Sequence, residues 1–457
     1  MRNTRVRGAA VLAALASIST LAACGSSSGD TAGSAGKVTI TVEGWRPGDQ
    51  KATIDAVKAQ AAAFHKLHPD VTVVPKEWQW NAQTFPAELA GGTLPTTFRV
   101  PFTDTKGLVA KHQVADINDL VEALPYAKSF NPSVLAAAKG TDGRIYGIPS
   151  DVYAQGLHYN RAMFTAAGLD PNQPPTTWEE VAADAKQIAQ KTGQTGYATM
   201  SKENQGGWIL TTVTYALGGR METQQGSKYT ATVDNAATKQ ALGLLHKMRW
   251  VDNAMGSNTS YDWNSINQAF AAGKVAMYVS GSDVYNALTT TNDINPSDYG
   301  LAALPLVGPD SGVLGGGSVN VVTAKATATQ AKAAVEWIDF FRVHKYTDKT
   351  AAVADAKTQT TAKQPVGTPT FPIFDESSYR QYQSWIKPYV NVPQSQMSSF
   401  TDAMFTQQLI AEPPSQTQAL YAALDPVVQR VLTDKNANID ALLTSANQQV
   451  QQILDKQ

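Results

Sequence analysis

The chain has 457 residues, 37 basic and 38 acidic, with a single cysteine. The near-neutral balance argues against a nucleic-acid-binding protein, which needs a clustered basic face, and one cysteine excludes an internal disulfide and makes a poor metal site. The length exceeds a single typical core and predicts two lobes.

Arg2, Arg5 and Arg7 form a positive N-terminal region, and Ala9 to Leu21 is a short Ala/Leu-rich apolar run with signal-peptide flanks. Leu21-Ala22-Ala23-Cys24 resembles a bacterial lipobox, which implies a signal peptide over 1–23 and a lipid on Cys24. Residues 24–36, Gly/Ser-rich after Cys24, read as a flexible tether. Removal of residues 1–23, which hold three arginines and no acidic residue, leaves 34 basic against 38 acidic. No later segment is apolar enough to span a membrane.

Val38, Ile40 and Val42 alternate with polar residues, a half-buried strand pattern. Ile54, Val57, Ala61, Phe64 and Leu67 fall at helical spacing up to Pro69, and Asp70 to Val74 forms a second strand. Strand, helix, strand predicts parallel pairing with a right-handed crossover. Ligands of such sheets sit beyond the carboxyl ends of the strands. That places Trp45 and Arg46 after the first strand, Glu77, Trp78 and Trp80 after the second, and Phe102 and Asp104 after a third that follows Leu94-Pro95.

Asp142-Gly143 is a turn signal, and Arg144 to Ile148 reads as a strand stopped by Pro149. Gly156 to Tyr159 reads as the next strand, then a helix capped by Asn160 and ended by Gly168. A chain leaving one sheet and entering another through Pro149 to Gln155 suits a crossing between lobes, with Asp151 and Tyr153 in the cleft. An ordinary loop between neighbouring strands fits the same spacing. Thr177 and Glu180 have capping-box spacing, and Trp178 begins a core-facing repeat with Val181, Ala185 and Ile188.

The run from Asp142 through Gly147-Ile148-Pro149, then Leu157-His158-Tyr159-Asn160-Arg161 to Ala167-Gly168-Leu169, resembles the extracellular solute-binding proteins of ABC sugar importers, the maltose-binding-protein-like family. Pro175-Thr176-Thr177-Trp178-Glu179-Glu180 extends the resemblance, as does Phe270 to Gly281 with Gly273-Lys274 and Ala276-Met277. Two departures stand out: Thr96 where an Asp is usual, and Asp283 where many relatives have Trp. The second puts any transfer of sugar specificity in doubt.

The resemblance implies an α/β fold of the two-lobed periplasmic-binding-protein type II. Each lobe is then a mixed, mainly parallel sheet flanked by helices. The expected lobes are 37–149 with 306–364, and 150–305 with 365–457. It further implies a monomer of the actinobacterial lipoprotein type, anchored outside the cell membrane. Such a protein closes on a carbohydrate, in particular an oligosaccharide, and hands it to a membrane permease without catalysis or cofactor.

A sugar needs rings for its apolar face and carboxylates or amides for its hydroxyls. Trp208, which opens a helix after a polar loop, and Trp263 complete the aromatic candidates beside Trp45, Trp80, Phe102 and Tyr153. Asp104, Asp151, Asp283, Arg46 and Glu77 are the charged candidates, and Gly316-Gly317 lies where a ligand could approach backbone. Rival solutes are a polyol, a glycerophosphodiester or a polyamine. A secreted glycoside hydrolase would need two flanking carboxylates, and a metal-binding lipoprotein would rest on His65 and His68.

Overall fold

In a computed structural model the structure describes residues 37–49, 51–226 and 228–456. The expected signal peptide, tether and Cys24 lie outside the described residues. Lys37–Gln457 forms one compact unit.

Eleven strands are present among the described residues: β1 (Val38–Trp45), β2 (Val71–Glu77), β3 (Thr97–Pro101), β4 (Gly147–Asn160), β5 (Thr195–Tyr197), β6 (Glu222–Gln225), β7 (Lys228–Ala231), β8 (Val275–Gly281), β9 (Tyr299–Ala302), β10 (Val313–Val322) and β11 (Leu409–Ala411). Nine of them join in the order β2-β1-β3-β10-β4-β8-β5, with β11 on β10 and β9 on β4. The outer ladders β1–β2, β1–β3, β10–β11 and β5–β8 are parallel, and those made by β10 and β4 with β3, β8, β9 and each other are antiparallel. The architecture is a two-lobed, mixed α/β fold.

The expected break at Pro149 is absent: β4 runs unbroken for 14 residues. Its first half pairs with β10 as far as Ala154, and its second half pairs with β8 from Gln155. One strand therefore belongs to both halves of the sheet. Pro149 is tolerated because the register skips Ser150 between Ser318↔Asp151 and Val319↔Pro149, a bulge beside which a missing donor costs little.

Local signals account for much of the rest. Asn160 accepts the Met163 N–H, and Gly168 ends that helix at φ 80°. Thr177 and Glu180 form the capping box of the Trp178–Thr192 helix. Trp178 is 3% exposed and donates to the Pro305 carbonyl at 3.1 Å, so it is core. A small separate core packs the Lys51–Leu67 helix over β1 and β2, with Phe64 edge-on to Trp337 at 5.5 Å.

Residues 365–389, expected with the second lobe, have ties to both. Asn131 donates its backbone N–H to Ile373, and Asp375 donates to Ser129. The Phe374 ring stacks on Phe130 at 4.9 Å. Across the cleft, Thr368 donates to Asn286 at 2.7 Å.

Candidate functional site

A cavity of about 590 Å³ opens where β4 passes from one half of the sheet to the other. Its floor is Ser150 to Tyr153 of β4, with Gly317 and Ser318 of β10. One wall carries Asp283 and Asn286, and Glu412 enters just after β11. The opposite wall is built by Lys345 and Tyr346, the segment from Pro365 to Phe374, and Tyr379, Tyr382 and Gln383 of the Glu376–Ile386 helix. Tyr379 and Tyr382 are three residues apart, so they leave that helix on one face. Tyr346 meets Tyr382 edge-on at 5.0 Å. Rings, hydroxyls, amides and carboxylates thus surround one space, which is the equipment for a polyhydroxylated solute.

The charges are unevenly placed. Arg99 donates to Glu43 from Nη2 at 2.7 Å and to Asp151 from Nη1 at 3.3 Å. The Asp151 side chain is 59% exposed and faces the cavity. Crowding by the walls works to raise its pKa, but the Arg342 and Arg99 guanidiniums hold it below the ordinary carboxylate range. Arg342 itself is pushed down to about 10 by burial and by its like-charged neighbour Arg99. Tyr346, then Asp355, hold the Lys345 ammonium above its ordinary range against the cost of burial. Burial pushes Glu412 up to about 7, although Tyr421 and Tyr153 hydrogen-bond its carboxylate. Asp283 is raised by the same cause.

Of the residues expected at the site, Asp151, Tyr153, Asp283 and Gly317 line the cavity. Trp208 stands behind Tyr153, edge-on at 6.2 Å. Phe102 fills the space beside Gly317, where a Cβ would come within 3.0 Å of its ring. Trp80 and Asp104 meet each other: the indole and the Thr103 hydroxyl hydrogen-bond the carboxylate, which burial raises. Glu412 feels the Asp104 charge, so this pair adjoins the cavity without lining it.

Trp45, Arg46 and Trp263 stand outside the cavity lining. Lys58 covers the Trp45 ring at 5.4 Å, Arg46 is exposed in a turn closed by Asp49, and Trp263 begins a helix whose first N–H is taken by Gln205. Glu77 is an exposed strand end. The close approach expected at Gly316 is used by the protein itself. A Cβ there would lie 2.5 Å from the Tyr153 hydroxyl and 2.8 Å from Glu412. Tyr346, Tyr379, Tyr382, Lys345 and Glu412 were not among the expected residues. The i, i+3 tyrosines after a Pro-rich segment were the legible signal. Among the described residues no cluster of three or more candidate ligands is placed to hold a metal ion, and no helix is long and apolar enough to cross a membrane.

A family model described as bacterial extracellular solute-binding protein matches residues 48–348. A named relative is the sn-glycerol-3-phosphate-binding periplasmic protein UgpB of Pectobacterium atrosepticum, 24% identical over 298 residues, 62% of this chain and 65% of that protein. Matches to the curated relatives span 58% to 66% of their length. Among solved structures, the cyclic alpha-maltosyl-1,6-maltose binding protein of Arthrobacter globiformis superposes with a TM-score of 0.70 at 19% identity, over 92% of this chain and all of that one. UgpB of Mycobacterium tuberculosis, solved with glycerophosphocholine, gives 0.66 at 19% identity, over 92% of this chain and 99% of that one. At these identities the structural likeness speaks for the fold.

Proposed function

The chain belongs to the bacterial extracellular solute-binding protein family of ABC importers, and from that premise we propose that its solute is a carbohydrate, in particular an oligosaccharide. The observation that carries this reading is the cavity of about 590 Å³ on β4, walled by Tyr153, Tyr346, Tyr379 and Tyr382 with carboxylates and amides between them. Its volume lies within the range of small-molecule sites. Tyrosine rings offer a flat apolar face to sugar C–H groups and a hydroxyl at the edge. Relatives named for maltose-type sugars and for glycerol phosphates leave both classes in view. The single cavity-lining lysine against three carboxylates favours the uncharged sugar over the phosphate.

In this reading the lobes, 37–149 with 306–364 and 150–305 with 365–457, close on the sugar and present it to a permease. The protein is a monomer that performs no chemistry on its solute. A lipid on Cys24 and the Gly/Ser tether hold it outside the cell membrane. Replacing Cys24 by Ala then releases the protein into the medium; retention at the membrane would remove the anchor from this account.

Thermal unfolding against a panel of mono- and oligosaccharides tests the solute. Binding to the folded state alone adds about 2.7 kcal/mol at a hundredfold excess over Kd. A melting shift with an oligosaccharide, reduced in Tyr382→Ala relative to that variant's own unliganded midpoint, is the expected result. A shift with a glycerophosphodiester and none with any sugar would overturn the carbohydrate assignment, and consumption of the sugar would overturn the non-enzymatic one.

A further inference from the structure

Tyr153 is bordered by a carboxylate at each end. At the Gly281 position a Cβ would lie 2.7 Å from the Asp283 Oδ1 and 3.4 Å from the Tyr153 Cδ2. At the Gly316 position a Cβ would lie 2.5 Å from the Tyr153 hydroxyl and 2.8 Å from the Glu412 Oε2. The two glycines therefore clear both ends of one ring and let an acid stand at each. Asp283 also feels the charge of Asp151, and Glu412 that of Asp104.

These acids differ from Asp151 in their partners. Asp151 is paired with Arg99, and Arg342 and Lys345 are within its electrostatic reach. Among the described residues no ion pair reaches Asp283, Glu412 or Asp104, and no basic group offsets their burial. One end of the cleft is balanced, and the other holds acids with no cation.

We propose that the captured solute carries a cationic nitrogen, which seats against the Tyr153 ring between Asp283 and Glu412; this rests on the reading of the cavity as the solute site above. A cation over an aromatic face gains from the ring quadrupole, more so when desolvated, and two carboxylates supply its counter-charge. Burial raises both acids, and a bound cation reverses that penalty. A bare polyamine fits less well, because the Asp151 end already has its cations and has Ser150 and Ser318 beside it for hydroxyls. An anionic solute would meet the unpaired acids. Two kinds of solute bring such a nitrogen: an amino-substituted sugar, or a choline-bearing glycerophosphodiester.

Calorimetric titration of the full chain separates them, with glucosamine oligomers, their N-acetylated forms, malto-oligosaccharides and glycerophosphocholine as probes. The expected result is glucosamine oligomers binding about tenfold or more tightly than their neutral N-acetylated counterparts. That advantage falls to parity in Asp283→Asn/Glu412→Gln, whose fold is checked by its unliganded melting midpoint. If this pair fails to fold, the single variant Asp283→Asn is read for a partial loss. N-acetylated or malto-oligosaccharides binding as tightly as the amine would overturn this inference and leave the carbohydrate reading standing. Glycerophosphocholine binding without any sugar would keep the cationic nitrogen and overturn the carbohydrate reading. Binding of none of the four would overturn both.

Discussion

Glu222 carries its carboxyl at about 7 because the residue is 7% exposed, and the Ser415 N–H at 2.9 Å only partly offsets burial. Its Oε2 has no hydrogen-bond partner among the described residues, and the Tyr215 and Tyr229 hydroxyls feel its charge. A free glutamate titrates near 4.3. Between that value and about 7 the folded chain holds the extra proton. The stability from this group is therefore full below about 4.3 and is lost as pH rises from there through about 7. Glu222→Gln keeps an acceptor for Ser415 and cannot ionise. Urea midpoints should match the parent at about pH 4, below the free value, and exceed it at pH 8, by roughly 1–3 kcal/mol in stability. An equal gap at both pH values would disprove the assignment. His158 runs the other way: burial lowers it to about 4, so its contribution is lost as pH falls from about 6.5 toward 4. Only the difference between variant and parent isolates Glu222. None of this was legible in the chain, since Glu222 looks like any strand-end acid until the 412–417 segment folds over it.

The Gln205–Ala216 helix shows what an element needs from its neighbour. A Cβ on Gly207 would lie 2.2 Å from the Tyr421 carbonyl oxygen, a backbone atom of the Thr417–Thr433 helix. Backbone cannot rotate away as a side chain can, so Gly207→Ala should force the helices apart. A cost of about 1–3 kcal/mol is expected for such overpacking, read as a lower urea midpoint; an unchanged midpoint would mean the pair yields. Nothing local in the sequence marks Gly207 as a helix contact, since the atom it must clear belongs to a helix about 210 residues further on. Elements written by local rules were legible: the alternation of β1, the Thr177–Glu180 box, the Asn160 and Gly168 caps. Two kinds of feature were not. Pro149 reads locally as a stop, whereas its tolerance depends on the bulge at Ser150 in the pairing of β4 with β10, whose partner Val319 lies far along the chain. Likewise Trp45 and Trp263 satisfied the rule that ligands gather past strand ends, yet local partners, Lys58 and Gln205, hold them elsewhere. The far wall of the cavity comes from residues after 340, where no strand pattern points. His112 takes φ 53°, a left-handed turn that its residue type does not announce.

At the scale of the whole molecule the question is whether the cleft closes. β4 and β10 run side by side through the junction, and the β4 ladder changes partner between Ala154 and Gln155. Two adjacent strands bend together more easily than a packed core shears, so the junction is suited to act as a hinge. The Thr368–Asn286 hydrogen bond already bridges the two walls, and closure would bring Asp283 further toward Tyr379 and Tyr382. A solute can favour that state only by binding it more tightly than the open one, and moving an equilibrium from 1:99 to 99:1 takes about 10⁴-fold. Cysteines at Asp293 and Lys357, both exposed and just beyond the two walls, can carry spin labels once Cys24 is replaced by Ser. Saturating sugar should shift the label–label distance distribution to shorter values and narrow it. Tyr382→Ala should need more sugar to reach the same closed distribution, since it weakens binding without touching the hinge. A distribution unchanged at saturation would mean a rigid cleft, and recognition by the proposed permease would then have to read the bound solute itself instead of the angle between the lobes.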